Sequence, residues 1–357
     1  MRVLAACSLG GAGHLRPLVP LLAAASRRGD DVLVIGPPAL ADMVAEAGFS
    51  FRPGAEPPEE AVASIRERLP VAPPAQASVL ANRELFGRLA TQAMLPAMVE
   101  TVGEWAPDLI LRDPCEYASA VAAGDAGVAV AQVAISFAVA EHGCIGVAGP
   151  ALEPRRTGVT GEMVASPYLT RFPASLDPSP FATTIRFHEP PGPSGPLPDS
   201  VREWWDADGG PRVYLSFGTV LGHMSIATDV YRTALQAVAR LDARVLLTVG
   251  RRFDRALLGS VPANVRVEAW VDQASVLERA EAVVCHGGSG TAFGSVAAGV
   301  PVVAVPVFAD QFENGRRIAG VGAGLVIEHD RPEGDPRRVF GADDAPRITV
   351  AVERVLA

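Results

Sequence analysis

Two series of short, unbroken apolar runs, interleaved with stretches of helical spacing, constrain this chain more than any other feature. In the first series Val3–Cys7 precedes a glycine-rich loop. His14–Arg28 then sets Leu15, Leu18, Leu21, Leu22 and Ala25 on one helical face, with Pro17 in the first turn and Gly29 as the stop. Asp31–Ile35, Leu109–Leu111 and Val128–Ile135 follow as further apolar runs. A run that is apolar throughout, rather than alternating, suits a strand covered on both faces, the condition of a parallel sheet. The second series holds Arg212–Phe217, a helix over Ala227–Arg240, Arg244–Val249, Val265–Glu268, Ala282–Cys285, a helix over Gly290–Ala298, and Pro301–Val305. Between the two lies Glu189–Pro198, where proline and glycine are too dense for helix or sheet. The expectation is an α/β chain of two doubly wound parallel-sheet domains, 1–188 and 201–357, joined by a linker over 189–200. A length of 357 residues also favours two cores over one. The passage 150–161 is abrupt, and the chain stops at Ala357 just after a helix opened by Asp343, Asp344 and Pro346; the C-terminal helices read as incomplete.

Composition removes several functions. The net charge of −9 disfavours a nucleic-acid partner, because phosphate backbones call for a basic face. All 31 basic residues are arginine, so neither a P-loop lysine nor a Schiff-base lysine exists. Cys7, Cys115, Cys144 and Cys285 are too scattered for paired metal spacing and read as free thiols of a reducing cytosol. His142, His188, His223 and His329 likewise lack ligand spacing, so no metal is expected. No apolar run reaches the ~18 residues of a membrane span, and the expected location is cytoplasmic. The acidic, proline-containing stretch Glu56–Glu60 reads as a solvated loop.

Chemistry concentrates in His286-Gly287-Gly288-Ser289-Gly290-Thr291, between the strand pattern Ala282–Cys285 and a small-residue helix. A glycine-rich turn that opens a helix aims backbone N–H groups at one spot, with the positive end of the helix dipole behind them. Imidazole and hydroxyl donors from His286, Ser289 and Thr291 add to that anion site. Phe308-Ala309-Asp310-Gln311 follows, and Asp310 and Gln311 suit sugar hydroxyls. A diphosphate cradle followed by a sugar reader suggests a nucleotide-sugar site.

Trp270-Val271-Asp272-Gln273, His286–Thr291, Gly299-Val300-Pro301 and Asp310–Asn314, in that order, resemble the C-terminal signature of family 1 glycosyltransferases of GT-B fold. The similarity is to the bacterial antibiotic and macrolide branch and spans essentially the whole chain. It implies two Rossmann-like domains facing a cleft, with the acceptor on the first and the nucleotide sugar on the second. Trp270 and Gln273 would hold the base. His286, Gly288, Ser289, Gly290 and Thr291, with Ser216 and Thr219 of the Ser216–Thr219 corner, would hold the diphosphate. Asp310 and Gln311 would hold the sugar. Across the cleft, His14 would be the general base and Asp113 the aspartate that orients it; an imidazole titrates near neutrality and can take a hydroxyl proton. Phe86, Phe137 and His142 are candidates for the acceptor pocket, and Leu89 and Met94 could join them or simply pack a helix.

One departure bears on the donor. Eight residues after its histidine, the plant-type signature carries a glutamate that grips both ribose hydroxyls, and here Gly294 stands instead. Its absence leans from a UDP donor toward a dTDP-deoxysugar. The resemblance thus implies an inverting, metal-independent hexosyltransferase, with a nucleotide-diphosphate sugar as co-substrate and no cofactor. Its partners would be that sugar and a hydroxyl-bearing hydrophobic natural-product aglycone in antibiotic biosynthesis, and a homodimer is compatible with it. Two rivals stand beside it: a GT-B nucleotide-sugar epimerase, and a non-catalytic auxiliary partner of a glycosyltransferase.

Overall fold

A computed structural model describes residues 1–9, 11–69, 72–188, 195–207, 209–308, 310–328 and 341–357. Gly10, Ala309, His329 and the first half of the expected linker, 189–194, lie outside the described residues. The chain divides into two compact units, one on Met1–Leu69 and Pro74–Glu189, the other built on Pro190–Ala357. The helix Asp199–Asp206 opens after Pro198, inside the stretch expected to be linker.

Among the described residues the first unit carries seven parallel strands in the order β3-β2-β1-β4-β5-β6-β7. They are β1 (Arg2–Ala6), β2 (Asp31–Gly36), β3 (Ser50–Pro53), β4 (Leu109–Arg112), β5 (Ala129–Val133), β6 (Tyr168–Thr170) and β7 (Thr184–Arg186). Successive β1 side chains serve opposite faces, as the strand period requires. Val3 and Ala5 join a core with Leu15, Leu18 and Leu22, while Leu4 and Ala6 join another with Met94, Met98 and Ile110. The expected helix over His14–Arg28 is in fact two, Ala12–Leu15 and Val19–Arg27. Pro17 and Pro20 remove two backbone donors in succession, and the ladder breaks between them. Residues 150–161 run without a break from the helix Ala138–Leu152 through a turn to the helix Val159–Ala165. Glu59 and Glu60, expected in a solvated loop, form the first turn of the helix Glu59–Arg68, where the dipole favours acids.

The second unit has, among the described residues, six parallel strands ordered β10-β9-β8-β11-β12-β13. These are β8 (Arg212–Ser216), β9 (Arg244–Thr248), β10 (Val265–Glu268), β11 (Ala282–Cys285), β12 (Val302–Ala304) and β13 (Gly324–Val326). Their core continues into the helices Ala227–Val238 and Ala345–Leu356. Both units are therefore Rossmann-like, with the winding reversing between β1 and β4 in one and between β8 and β11 in the other. Such reversals leave a crevice at the carboxyl ends of the two central strands, where ligands bind in doubly wound sheets. Among the described residues no helix is long and apolar enough to cross a membrane.

Candidate active site

In the first unit, Ala6 and Arg112 are register partners at the carboxyl edge of β1 and β4. The segment after β1 enters the helix Ala12–Leu15, which carries His14, and Asp113 follows β4 directly. His14 Nδ1 lies 3.0 Å from Asp113 Oδ1. Asp113 Oδ2 accepts the Ser8 N–H at 2.5 Å, and Oδ1 also accepts the Cys115 N–H at 2.7 Å. The Asp113 side chain is fully buried, while that of His14 keeps 13 % of its surface exposed. A carboxylate can only accept, so this contact assigns the proton of neutral His14 to Nδ1 and leaves the Nε2 lone pair for an incoming hydroxyl. The Phe86 ring stands 5.8 Å from the imidazole. It belongs to a π-helical segment, Val79–Ala90, that continues into the helix Thr91–Trp105.

The Cys115 thiol joins His14 and Asp113 in one cluster of potential ligand atoms within 4.8 Å. A metal ligand must be deprotonated with a free lone pair. Burial, with the Asp113 carboxylate second, pushes the Cys115 thiol well above its ordinary range. Both Asp113 oxygens are committed to N–H donors, so the cluster suits proton transfer better than coordination.

One acceptor-pocket candidate needs revision. Phe137 is fully buried, its ring 5.3 Å from Phe172, and it packs the core instead of lining a pocket. It follows a buried strand, which sequence alone could not separate from a pocket wall. His142 is half-buried, edge-on to Phe181 at 5.3 Å.

In the second unit, Ser216 and Cys285 are register partners where β8 and β11 end. Gly288 is the N-cap of the helix Ser289–Ala297. The first helical bond there runs from the Ala292 N–H to the Gly288 carbonyl at 3.0 Å, leaving the N–H groups of Ser289, Gly290 and Thr291 outside the ladder. Gly287 has a φ of +82°, and a Cβ there would stand 2.7 Å from the Gln311 carbonyl. At Gly218 a Cβ would stand 2.9 Å from the His286 ring, and at Gly288 it would overlap Nε2. The imidazole is thus wedged between two glycine backbones. Burial draws His286 down to about 4, against the Asp310 carboxylate and a hydrogen bond with the Ser216 backbone. At neutral pH it offers an N–H and no charge.

The remaining predicted donor residues divide between groups aimed outward and groups that brace the turn. Trp270 is 43 % exposed, and the Arg251 guanidinium sits 5.1 Å from its ring centroid. Gln273 donates from Nε2 to the Gly290 carbonyl at 3.1 Å and fills the space beside Gly294, where a Cβ would lie 2.8 Å away. Ser216 is buried, its hydroxyl accepting from Thr248, which also bonds Tyr214; Thr219 is exposed. Ser216 therefore props the corner by its side chain. Asp310 Oδ2 takes the Ser289 hydroxyl at 3.3 Å and Asn314 Nδ2 at 3.0 Å. Asn314 also donates to the Gly287 carbonyl at 2.9 Å, tying the Asp310 segment to the glycine-rich turn. Gln311 departs from expectation: it is 3 % exposed, and its Oε1 accepts the Val307 and Phe308 N–H groups at 2.9 Å. Its carbonyl end closes a loop whose backbone donors have no strand partner. Arg251 gives no signal in the sequence beyond an ordinary loop arginine, and Asn314 lies in the Asp310–Asn314 block without a role assigned to it.

Tandem doubly wound sheets, the second carrying an anion cradle, are the architecture of GT-B glycosyltransferases. A family profile described as erythromycin biosynthesis protein CIII-like matches residues 23–185 with its N-terminal domain and 232–345 with its C-terminal domain. L-demethylnoviosyl transferase of Streptomyces niveus is 34% identical over 99% of this chain and 89% of its own length. The glycosyltransferase SnogD from Streptomyces nogalater superposes with a TM-score of 0.71 at 29% identity, covering 100% of this chain and 94% of that one. The spinosyn rhamnosyltransferase SpnG, solved with thymidine diphosphate and with spinosyn aglycone, gives TM-scores of 0.77 and 0.76 at 26% identity, over 100% of this chain and 92% of that one. The chain belongs to the erythromycin biosynthesis protein CIII-like family of glycosyltransferases.

Proposed function

We propose that this enzyme moves a deoxysugar from thymidine diphosphate to a hydroxyl of a hydrophobic natural-product aglycone, with inversion at the anomeric carbon. The observation that carries the reading is the His14–Asp113 pair, which leaves Nε2 available as a base. In the proposed reaction Nε2 takes the hydroxyl proton while the acceptor oxygen bonds the anomeric carbon. The bond from that carbon to the diphosphate oxygen breaks, and its electron pair leaves with the diphosphate. The N–H groups at Ser289–Thr291 and the neutral His286 would receive the developing charge. The domain 1–188 would take the acceptor and 201–357 the donor. Trp270 would carry the base, and Asp310 would meet the sugar.

Relatives named as sugar transferases, and SpnG with its two ligands, support transfer over epimerisation or an auxiliary role. The test incubates the protein with a panel of dTDP- and UDP-sugars, with and without aromatic or macrolide acceptors. Nucleotide release that depends on acceptor is expected. Release at an unchanged rate without acceptor would defeat the reading. His14→Ala should abolish transfer while thymidine diphosphate still binds with parental affinity in a calorimetric titration. Loss of nucleotide binding would remove His14 from the acceptor side.

A further inference from the structure

Arg112, the last residue of β4, is fully buried. A guanidinium taken out of water must be compensated by its contacts, so its partners indicate its role. Nη1 donates to three carbonyls of one turn: Asp113 at 2.9 Å, Pro114 at 3.2 Å and Glu116 at 2.7 Å. Nη2 donates to Gln132 Oε1 on β5 at 2.6 Å. The Tyr117 ring lies 5.5 Å from the guanidinium carbon. One side chain therefore gathers the whole segment 113–117 and pins it to the neighbouring strand. At its other end the same turn is anchored by the Asp113 N–H on the Ala6 carbonyl at 3.0 Å.

Burial supports the same role. Asp113 is fully buried, so its carboxyl depends on the donors to which the turn holds it. Glu116 is a second buried carboxyl on this turn, pushed up to about 7 by burial. A guanidinium stays protonated at any working pH, and its fork reaches several acceptors where an ammonium is a point charge.

We propose that Arg112 is a positioning residue for the reaction: it locks the 113–117 turn so that Asp113 Oδ1 faces His14. The inference rests on His14 being the base. A merely structural arginine would affect stability alone, so the test reads the histidine itself.

Nitrogen–proton correlation NMR of the full chain resolves the tautomer of each of the six histidines, with His14→Ala assigning the signal. The parent should hold His14 with its proton on Nδ1. Arg112→Met should give a mixture of tautomers or the Nε2–H form. Arg112→Lys, which keeps the charge and loses the fork, should fall between. Gln132→Ala, which removes only the Nη2 partner, should leave the tautomer unchanged even with a lower melting temperature. Thymidine diphosphate affinity should stay within ~twofold in all of them, because the donor residues lie on another unit. A parental tautomer in folded Arg112→Met overturns the proposal while leaving the base reading intact. If Arg112→Met does not fold, a parental tautomer in Arg112→Lys overturns it equally. A parent with the His14 proton on Nε2 defeats the base reading itself.

Discussion

Asp113→Asn probes the base most directly, because the geometry limits what an amide can do there. The carboxylate accepts three hydrogen bonds, from Ser8 N–H, Cys115 N–H and His14 Nδ1. An amide has one oxygen. If that oxygen takes the Oδ1 place, it keeps Cys115 and His14 but turns its NH2 on the Ser8 N–H. If it takes the Oδ2 place, the NH2 donates to His14 Nδ1, forces the proton onto Nε2, and removes the base. In the first case the imidazolium formed during transfer loses its counter-charge, a charge-assisted bond of ~1.5–3 kcal/mol, which converts to a ~10–150-fold fall in kcat. In the second the fall is larger still. Stability should drop by ~1–3 kcal/mol in either case, because one buried donor faces another donor. The assay is acceptor glycosylation at saturating dTDP-sugar, with a thermal melt and a thymidine diphosphate titration beside it. Donor affinity should not move. A folded Asp113→Asn enzyme whose kcat stays within threefold of the parent would refute the orienting role.

Three further outcomes follow from the donor unit and the buried acids. Gly288→Ala places a methyl on His286 Nε2 and must expel the ring; calorimetry should show thymidine diphosphate bound at least ~10-fold more weakly, one charge-assisted bond being lost. Parental affinity there would mean the turn is not the diphosphate site. Trp270→Ala should remove a base stack of ~1–3 kcal/mol, Trp270→Phe should restore most of it, and inorganic pyrophosphate should bind all three proteins alike. Glu141 accepts the Ile135 and Ser136 N–H groups, and burial pushes its carboxyl up to about 8. A raised folded value favours the fold fully below the ordinary 4.5 and loses that contribution as pH rises through 8. The unfolding free energy should therefore fall across that window by an amount on the order of a few kcal/mol, lowering the melting temperature with it, and Glu141→Gln, which keeps an acceptor oxygen, should flatten the decline. An unchanged slope would show that Glu141 does not carry it.

The sequence by itself determined what is local. Unbroken apolar runs announced parallel strands, because burial on both faces leaves no room for alternation. The glycine-rich turn and helix start at His286–Thr291 are equally legible, since they lie within six consecutive residues. Short strands such as β7, Thr-Ile-Arg, escaped notice, because three residues show no period and their pairing comes from the neighbour. Tertiary structure decided the rest. Without a resemblance to point to them, nothing in the chain joins His14 to Asp113, 99 residues apart; the parallel register of β1 against β4 brings them to one edge. It also sorted residues of identical appearance. Phe137 and Phe86 are both loop-or-helix phenylalanines in sequence, yet one packs the core and the other stands beside the His14 imidazole. Gln311 was turned inward to hold its loop, while Arg112, an ordinary strand-end arginine on paper, became the clamp on the turn that carries Asp113. Side-chain type fixes which bonds a residue can make, and only the packed chain decides which partners come within the few ångströms over which those bonds act.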